Sequence, residues 1–483
     1  MRIGLWGTFD VENYGDALFP RLARHELGRR LPGAHVRPFG LMGDRSPSRF
    51  DSGPIELLGE PTPERLTELA ESLDLVIVGA GEIIHLRDQE WAAYYPMPAE
   101  EAAAIAPSRF FVDGLGPELE EECPVVWHAV GIPADIEPRQ GARFRRALEA
   151  RPHVSVRDRT SLARLRAAGV VREVAVVPDP AVLLPRLLSP EMLGKRLRVL
   201  RHQGVFPPAE RVLVVQGSRA HLPHVDPIAA AVERVASRVD AVPLVVETGP
   251  CLGDGEFAGA LAERLRDARR LGPAGIVDLT AAIAGSVGFV GVSMHGNIAA
   301  LTYGVPQVVL GMNGESKLWG LAEAIGDPDV VVRAAEEIPD AFDSSAASSP
   351  RRDAVLELRE RADAQFDALA QAVPPPPGRA RSPGTGDGAL RDGYAARGRR
   401  LVAERWKMAD RLAETEEELA AAIEEQGRLR GEIARRDERI EAVETEAAAR
   451  REELDRLMAT RTFRYTAAAR RVYGRLRSRF RRR

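Results

Sequence analysis

Val287-Gly-Phe-Val-Gly-Val-Ser-Met-His-Gly-Asn-Ile-Ala-Ala-Leu-Thr-Tyr-Gly-Val-Pro306, with Gln307-Val-Val-Leu310 directly behind it, is the stretch whose reading decides the fold. A β-branched apolar run stops at Ser293. A helix of small residues, starting at Gly296 or Asn297, ends at Gly304 with Pro306 beyond, and a second strand-like run follows. This order places Ser293, Met294 and His295 at the carboxyl end of a parallel strand, facing a helix amino terminus. In open α/β sheets ligands sit at that edge, and free backbone N–H groups there favour an anion.

Outward from this unit the same alternation repeats. Upstream and downstream, the expected strands of one block are Val212–Gln216, Leu244–Glu247, Ile276–Leu279, Val287–Val292, Gln307–Leu310 and Val330–Val332. An earlier block offers Ile3–Trp6, Val36–Phe39, Leu75–Val78, Val125–Val130, Val154–Val156 and Val174–Val177, with helices expected at Ala17–Arg30, Glu64–Glu71 and Ser161–Ala168. Strand ends carry Gly7-Thr8, Gly79-Ala-Gly-Glu82, Gly131-Ile132 and Arg157-Asp158, so one edge of that sheet is polar. The expectation is an α/β protein of two Rossmann-like, doubly wound domains, residues 1–185 and 211–340. A basic, irregular connection at 186–210 joins them, and the cleft between them is the default ligand site.

Beyond residue 340 the pattern changes. A helix is expected at 351–373 and stops at Pro374-Pro-Pro-Pro377, and the Gly, Pro, Ser and Arg-rich residues 374–395 read as a disordered linker. From 396 to 458 the chain is charged and helix-favouring. Leu412, Leu419, Gln426, Ile433, Ile440, Ala447 and Leu454 recur every seven residues, while Thr415, Arg436 and Arg450 interrupt the companion seam of Ala422, Leu429, Val443 and Leu457. A C-terminal coiled coil is the expectation, in a homo-oligomer or with a partner helix; a single solvated helix is the alternative. Residues 459–483 form a basic tail, with many arginines interleaved with Phe463, Tyr465, Val472, Tyr473, Leu476 and Phe480. An amphipathic helix of that composition suits an anionic membrane surface better than nucleic acid. A merely solvated tail is an equal reading.

With 483 residues the chain has room for two or three domains, and a formal net charge of -4 excludes a general polyanion binder. Cys123 and Cys251 lack CxxC spacing and support neither a disulfide framework nor a zinc site. The amino terminus does not resemble a signal peptide, and no run reaches the roughly 20 apolar residues that span a bilayer. The expected location is cytoplasmic, with peripheral contact at the inner face of the cell membrane through the tail.

Four places carry candidate chemistry. Asn13 and Asp16 lie in the turn Gly7-Thr-Phe-Asp-Val-Glu-Asn-Tyr-Gly-Asp16 between the first strand and its helix, where a polar ligand meets backbone donors. The spacing is not GxGxxG, so a dinucleotide has little support. Arg157 stands at a strand end and suits a phosphate or carboxylate, although an Arg157–Asp158 structural network is the slightly better reading from chemistry alone. Asp179-Pro180 reads as structural. Ser293, His295 and Asn297 surround the predicted helix start, with His295 placed for proton transfer or anion binding. Lys317 follows the next strand as a second cation. No HExxH, P-loop, GxSxG or metal carboxylate cluster occurs, and neither a metal nor a cofactor is expected.

Together these motifs resemble the polysaccharide pyruvyl transferase family. The resemblance rests on Gly7 with Asn13-Tyr-Gly-Asp16, Asp74-Leu-Val-Ile-Val-Gly-Ala-Gly81, Ser155-Val-Arg-Asp158 with Ser161, Pro178-Asp-Pro180, Ser293-Met-His295 with Gly304-Val-Pro306, and Lys317, in that order over about residues 1–332. It implies a GT-B-like pair of domains and transfer of a pyruvyl group from phosphoenolpyruvate to a sugar of a cell-surface glycan or its lipid-linked precursor, forming a cyclic ketal. It implies His295 as general acid or donor contact, with Arg157, Arg219 and Lys317 as anion partners. Where the family commonly has an arginine two residues before the histidine, this chain has Ser293. The competing expectations are a nucleotide-sugar glycosyltransferase of the same architecture and a non-catalytic coiled-coil scaffold for glycan enzymes.

Overall fold

The structure, a computed structural model, describes residues 1–43, 50, 53–79, 81–149, 151–202, 211–314, 316–347, 350–372, 428–429, 432–433, 435–436, 439–440 and 442–480. They fall into two compact units, 1–406 and 407–483.

The first unit contains two sheets, both wholly parallel. One comprises β1 (Arg2–Trp6), β2 (His35–Gly40), β3 (Glu56–Leu57), β4 (Leu75–Gly79), β5 (Val125–Val130), β6 (Val154–Val156) and β7 (Ala175–Val176) in the order β3-β2-β1-β4-β5-β6-β7. The other comprises β8 (Arg211–Gln216), β9 (Ala241–Val245), β10 (Arg269–Arg270), β11 (Gly288–Gly291), β12 (Gln307–Leu310) and β13 (Val331–Val332) in the order β10-β9-β8-β11-β12-β13. Strands covered by helices on both faces read as near-continuous apolar runs, and β4, β5 and β12, with only His128 and Gln307 polar, are buried along their whole length. In each sheet the strand order reverses about one pair: β1 pairs with β4 through Ile3 and Leu75, and β8 pairs with β11 through Val215 and Val290. Those reversal points open the crevices in which ligands bind.

Two expectations about elements are corrected. Ile276–Ala284 is a helix, because Ile276, Leu279, Thr280 and Ile283 follow a helical spacing and are all buried; its β-branched opening had mimicked a strand. Pro190–His202, within the connection expected to be irregular, is a 13-residue helix with Pro190 in its first turn. It buries Leu193 and Leu200, with Leu197 packed against the same core. Residues 203–210 of that connection lie outside the described residues.

The two domains are stitched together. The first N–H of the Tyr14–Arg30 helix, at Tyr14, donates to the Thr248 carbonyl at 2.7 Å, and the Tyr14 hydroxyl meets Thr280 Oγ1 at 2.8 Å in a fully buried contact. One apolar core runs from Ile3 and Leu18 in the first domain to Ile298 and Val309 in the second. The Pro350–Ala372 helix then crosses back to the first domain. There Phe366 packs on the His128 ring at 4.8 Å, Gln365 donates to Ser155 Oγ at 3.1 Å, and Asp363 joins Arg30 and Arg186.

In the second unit, residues 442–459 are helical and a further helix spans Arg461–Phe480. The expected linker and the expected coiled coil as far as residue 427 lie outside the described residues. Among the described residues no helix is long and apolar enough to cross a membrane.

Candidate active site

The loops after β1, β4, β8 and β11 meet in a cleft of about 640 Å³ between the two domains. Both sheet reversal points face it, so the polar strand ends converge. Asn13 caps the Tyr14–Arg30 helix: its Oδ1 accepts from Gly15 N at 2.9 Å. Ser293 caps the Met294–Thr302 helix through Gly296 N at 3.2 Å, and its own N–H donates to Gln216 Oε1 at 2.8 Å. Gln216 in turn donates to Asp254 at 2.8 Å, and that fully buried carboxylate also collects the N–H groups of Thr248 and Gly249. Burial pushes Asp254 up to about 6. This relay joins the ends of β8, β9 and β11, and Gly304 at φ +73° stops the helix as expected.

His295, at the start of its helix, lies across Gly15 with its Nε2 3.4 Å from Asp179 Oδ2. The fit against Gly15 is close, since a Cβ there would stand 1.9 Å from Nδ1. Asp179 is held by Ala181 N at 2.9 Å. Burial works to raise its carboxyl, but the charge and hydrogen bond of His295 and the charge of Arg157 outweigh it and hold the group at about 2. Asp16 accepts the Thr8 hydroxyl at 2.7 Å; burial raises its carboxyl against the pull of Thr8, His295, Lys317 and Arg157.

Two cations complete the cluster. Arg157, its side chain only 3 % exposed, approaches Glu82 at 3.3 Å, Asp158 at 3.6 Å and Asp179 at 3.9 Å. Its Nε and Nη2 are nevertheless buried without a hydrogen-bond acceptor. Lys317 Nζ is 3.2 Å from the other oxygen of Glu82. Burial opposes the charge of Glu82, yet Lys317 and Arg157 keep its carboxyl below the usual range. The arrangement sets an imidazole against a carboxylate, His295 with Asp179, beside two cations bridged by one carboxylate.

The structure gathers Asn13, Asp16, Arg157, Ser293, His295 and Lys317 in the cleft, while Arg219 stands at its exposed mouth, paired with Glu256. Asn297 is a correction: it is fully buried and does not line the cleft, its amide donating to the Gly291 and Ser293 carbonyls at 2.8 and 3.0 Å. That bond fastens the helix to β11. Sequence reasoning left out Glu82 and Asp179 as site residues. Each stands at a polar strand end, the same signal that selected Arg157. Among the described residues no group of three or more His, Cys, Asp or Glu side chains is arranged to hold a metal ion.

The family model described as polysaccharide pyruvyl transferase matches residues 13–314. No curated protein sequence matches the chain. Among solved structures, UDP-GlcNAc 2-epimerase from Methanocaldococcus jannaschii is similar at 12% identity and TM-score 0.49, covering 77% of this chain and 100% of that one. UDP-GlcNAc 2-epimerase from Neisseria meningitidis, bound to UDP-GlcNAc, is similar at 12% identity and TM-score 0.48, covering 77% and 99%. The wall teichoic acid polymerase TagF is similar at 9% identity and TM-score 0.43, covering 77% and 88%.

Proposed function

Because the chain belongs to the polysaccharide pyruvyl transferase family and is a transferase, we propose that its cleft moves the pyruvyl group of phosphoenolpyruvate onto two hydroxyls of a sugar, in a cell-surface glycan or its lipid-linked precursor. The observation that carries this reading is Arg157: a buried guanidinium whose Nε and Nη2 sit at ion-pair distance from Asp158 and Glu82 without a hydrogen bond, beside Lys317, has donor capacity for the oxygens of a small polyanion. His295, as imidazolium, protonates the methylene carbon of the enol. The first sugar hydroxyl then adds to the oxocarbenium-like carbon and returns a proton to His295. Phosphate leaves, the second hydroxyl closes the ketal, and its proton passes to the departing phosphate, so atoms and charge balance with inorganic phosphate as the by-product. Asp179, 3.4 Å from Nε2, orients the ring for this transfer.

One observation favours a second reading. Both cations are already engaged by Glu82, and Ser293, a helix cap, occupies the place of the family's arginine. A donor with less charge at its reacting end, such as a nucleotide sugar, demands less of that site. Ligand-induced thermal stabilisation separates the two, because selective binding to the native state raises its melting temperature. A shift with phosphoenolpyruvate that disappears in His295→Ala supports pyruvyl transfer; a shift with nucleotide sugars alone sinks it.

For the second unit we propose self-association. Ile433, Ile440 and Leu454, on the heptad seam, are each more than half exposed in the single chain, which a second helix would relieve. The basic helix Arg461–Phe480 is proposed to rest on anionic lipid.

A further inference from the structure

The cleft has a wall that the acid–base centre does not use. His85 stacks on Trp91 with ring centroids 4.8 Å apart and planes 23° from parallel, and Tyr94 follows Trp91 at 6.0 Å. All three line the cleft. Trp91 is buried and braced edge-on by Phe111 at 6.2 Å, whereas Tyr94 is 42% exposed. An exposed tyrosine on a mobile loop would mean little, but this loop is fastened on both sides. Asp88 accepts the N–H and hydroxyl of Ser108 at 2.7 and 2.8 Å, and the Tyr95 hydroxyl donates to buried Asp10 at 2.6 Å. Asp10 itself accepts the N–H groups of Met42 and Gly43. Arg87 and Glu90 form an exposed ion pair beside the rings at 2.9 Å, offering donors and acceptors at the rim.

We propose that Tyr94 and His85, backed by Trp91, form the platform on which the acceptor pyranose lies, with Arg87 and Glu90 reading its hydroxyls. A pyranose has one face of ring C–H groups and an equator of hydroxyls, which matches the exposed Tyr94 ring, tilted 58° from Trp91, with the His85 ring and a polar rim beside it. The platform belongs to the same cleft as the reacting centre: Tyr94 lies in the electrostatic field of Lys317 and Glu82, with burial the larger influence on its hydroxyl. Burial, aided by Arg87, lowers His85 to about 4, so the stacked imidazole is uncharged at neutral pH and suits a neutral sugar face. The loop is held before any ligand arrives, so stacking costs little ordering.

This inference deepens the reading of the cleft as a sugar-modifying site and rests on it, but its test does not need the donor. The full chain is mixed with methyl β-D-galactopyranoside, methyl β-D-glucopyranoside and methyl β-D-mannopyranoside in turn, and saturation-transfer NMR records which ring protons contact protein. The expected result is transfer to the ring-face protons of at least one glycoside, weakened about tenfold in affinity by Tyr94→Ala, as loss of one aromatic contact implies, and retained in Tyr94→Phe. His85→Ala should weaken it as well. The phosphoenolpyruvate-induced thermal shift should be the same in Tyr94→Ala as in the natural chain, which also certifies the fold of the variant. Absence of ring-face transfer from every glycoside, or equal transfer in Tyr94→Ala, overturns the platform. Failure of the pyruvyl reading would show separately, as a missing phosphoenolpyruvate shift with the ring-face signal intact.

Discussion

Replacing Gly15 by alanine should disable the site while leaving the helix better formed. In isolation the change favours the helix by up to about 1 kcal/mol, because glycine loses more backbone freedom than alanine. At this position, however, the new Cβ would lie 1.9 Å from His295 Nδ1 and 2.4 Å from Cγ and Cε1. Restoring an ordinary contact of 3.4 Å requires the imidazole to retreat by 3.4 minus 1.9, about 1.5 Å, and its approach to Asp179 goes with it. Overpacking of this kind costs about 1–3 kcal/mol. Misplacing a reacting group by about 1 Å costs on the order of a hundredfold in rate. A double-mutant cycle isolates the effect: urea unfolding of the natural chain, Gly15→Ala, His295→Ala and the double variant. Alanine at 15 should destabilise when His295 is present and stabilise by up to about 1 kcal/mol when it is absent, a coupling of about 1–3 kcal/mol. Equal stabilisation in both backgrounds would refute the placement of the ring against Gly15.

Glu82→Gln should free Arg157 and Lys317 and tighten phosphoenolpyruvate by about ten- to a hundredfold, the worth of about 1.5–3 kcal/mol in charge-assisted bonds, as measured by calorimetric titration; weaker binding would mean that the carboxylate orders the cations for the donor. Asp254, raised to about 6 from an unfolded value of about 4, contributes stability that is full below about pH 4 and lost as pH rises through 6. Thermal melts at pH 5 and pH 7.5 should therefore differ more in the natural chain than in Asp254→Asn. Asp179 works in the opposite direction. Held at about 2, it contributes about 2 kcal/mol above pH 4 that is lost as pH falls through 2, so urea titrations across that window should flatten in Asp179→Asn. Ile433→Asp with Ile440→Asp should lower the mass measured by light scattering if these exposed positions meet a second helix.

The doubly wound plan was legible because buried parallel strands are written as apolar β-branched runs: Val125–Val130 and Gln307–Leu310 are read with the ends they have in the structure. Glu56–Leu57 and Arg269–Arg270 were not. Each is a two-residue exposed edge strand, held by pairing to one neighbour and not by side-chain burial. Ile276–Ala284 misled because β-branched residues open a helix whose apolar face becomes evident only over nine residues. At the site, position relative to strand ends selected His295, Arg157 and Asp16. Their partnership with Asp179 and Glu82 depends on how loops from separate strands meet, which no local spacing encodes. Asn297 shows the converse error, a polar residue at a helix start that spends its amide on backbone carbonyls.

The returning helix Pro350–Ala372 has a consequence for biosynthesis. Ser155 emerges from the ribosome 210 residues before Gln365, and Arg30 emerges 333 residues before Asp363. Until the helix follows, His128 has no Phe366 ring against it, and both of its nitrogens must be buried without a hydrogen-bond partner in the finished fold. The domain translated first is thus completed last. A nascent chain halted before residue 350 would display an unfinished face to chaperones and proteases, and the time of greatest vulnerability is set by translation of the second domain.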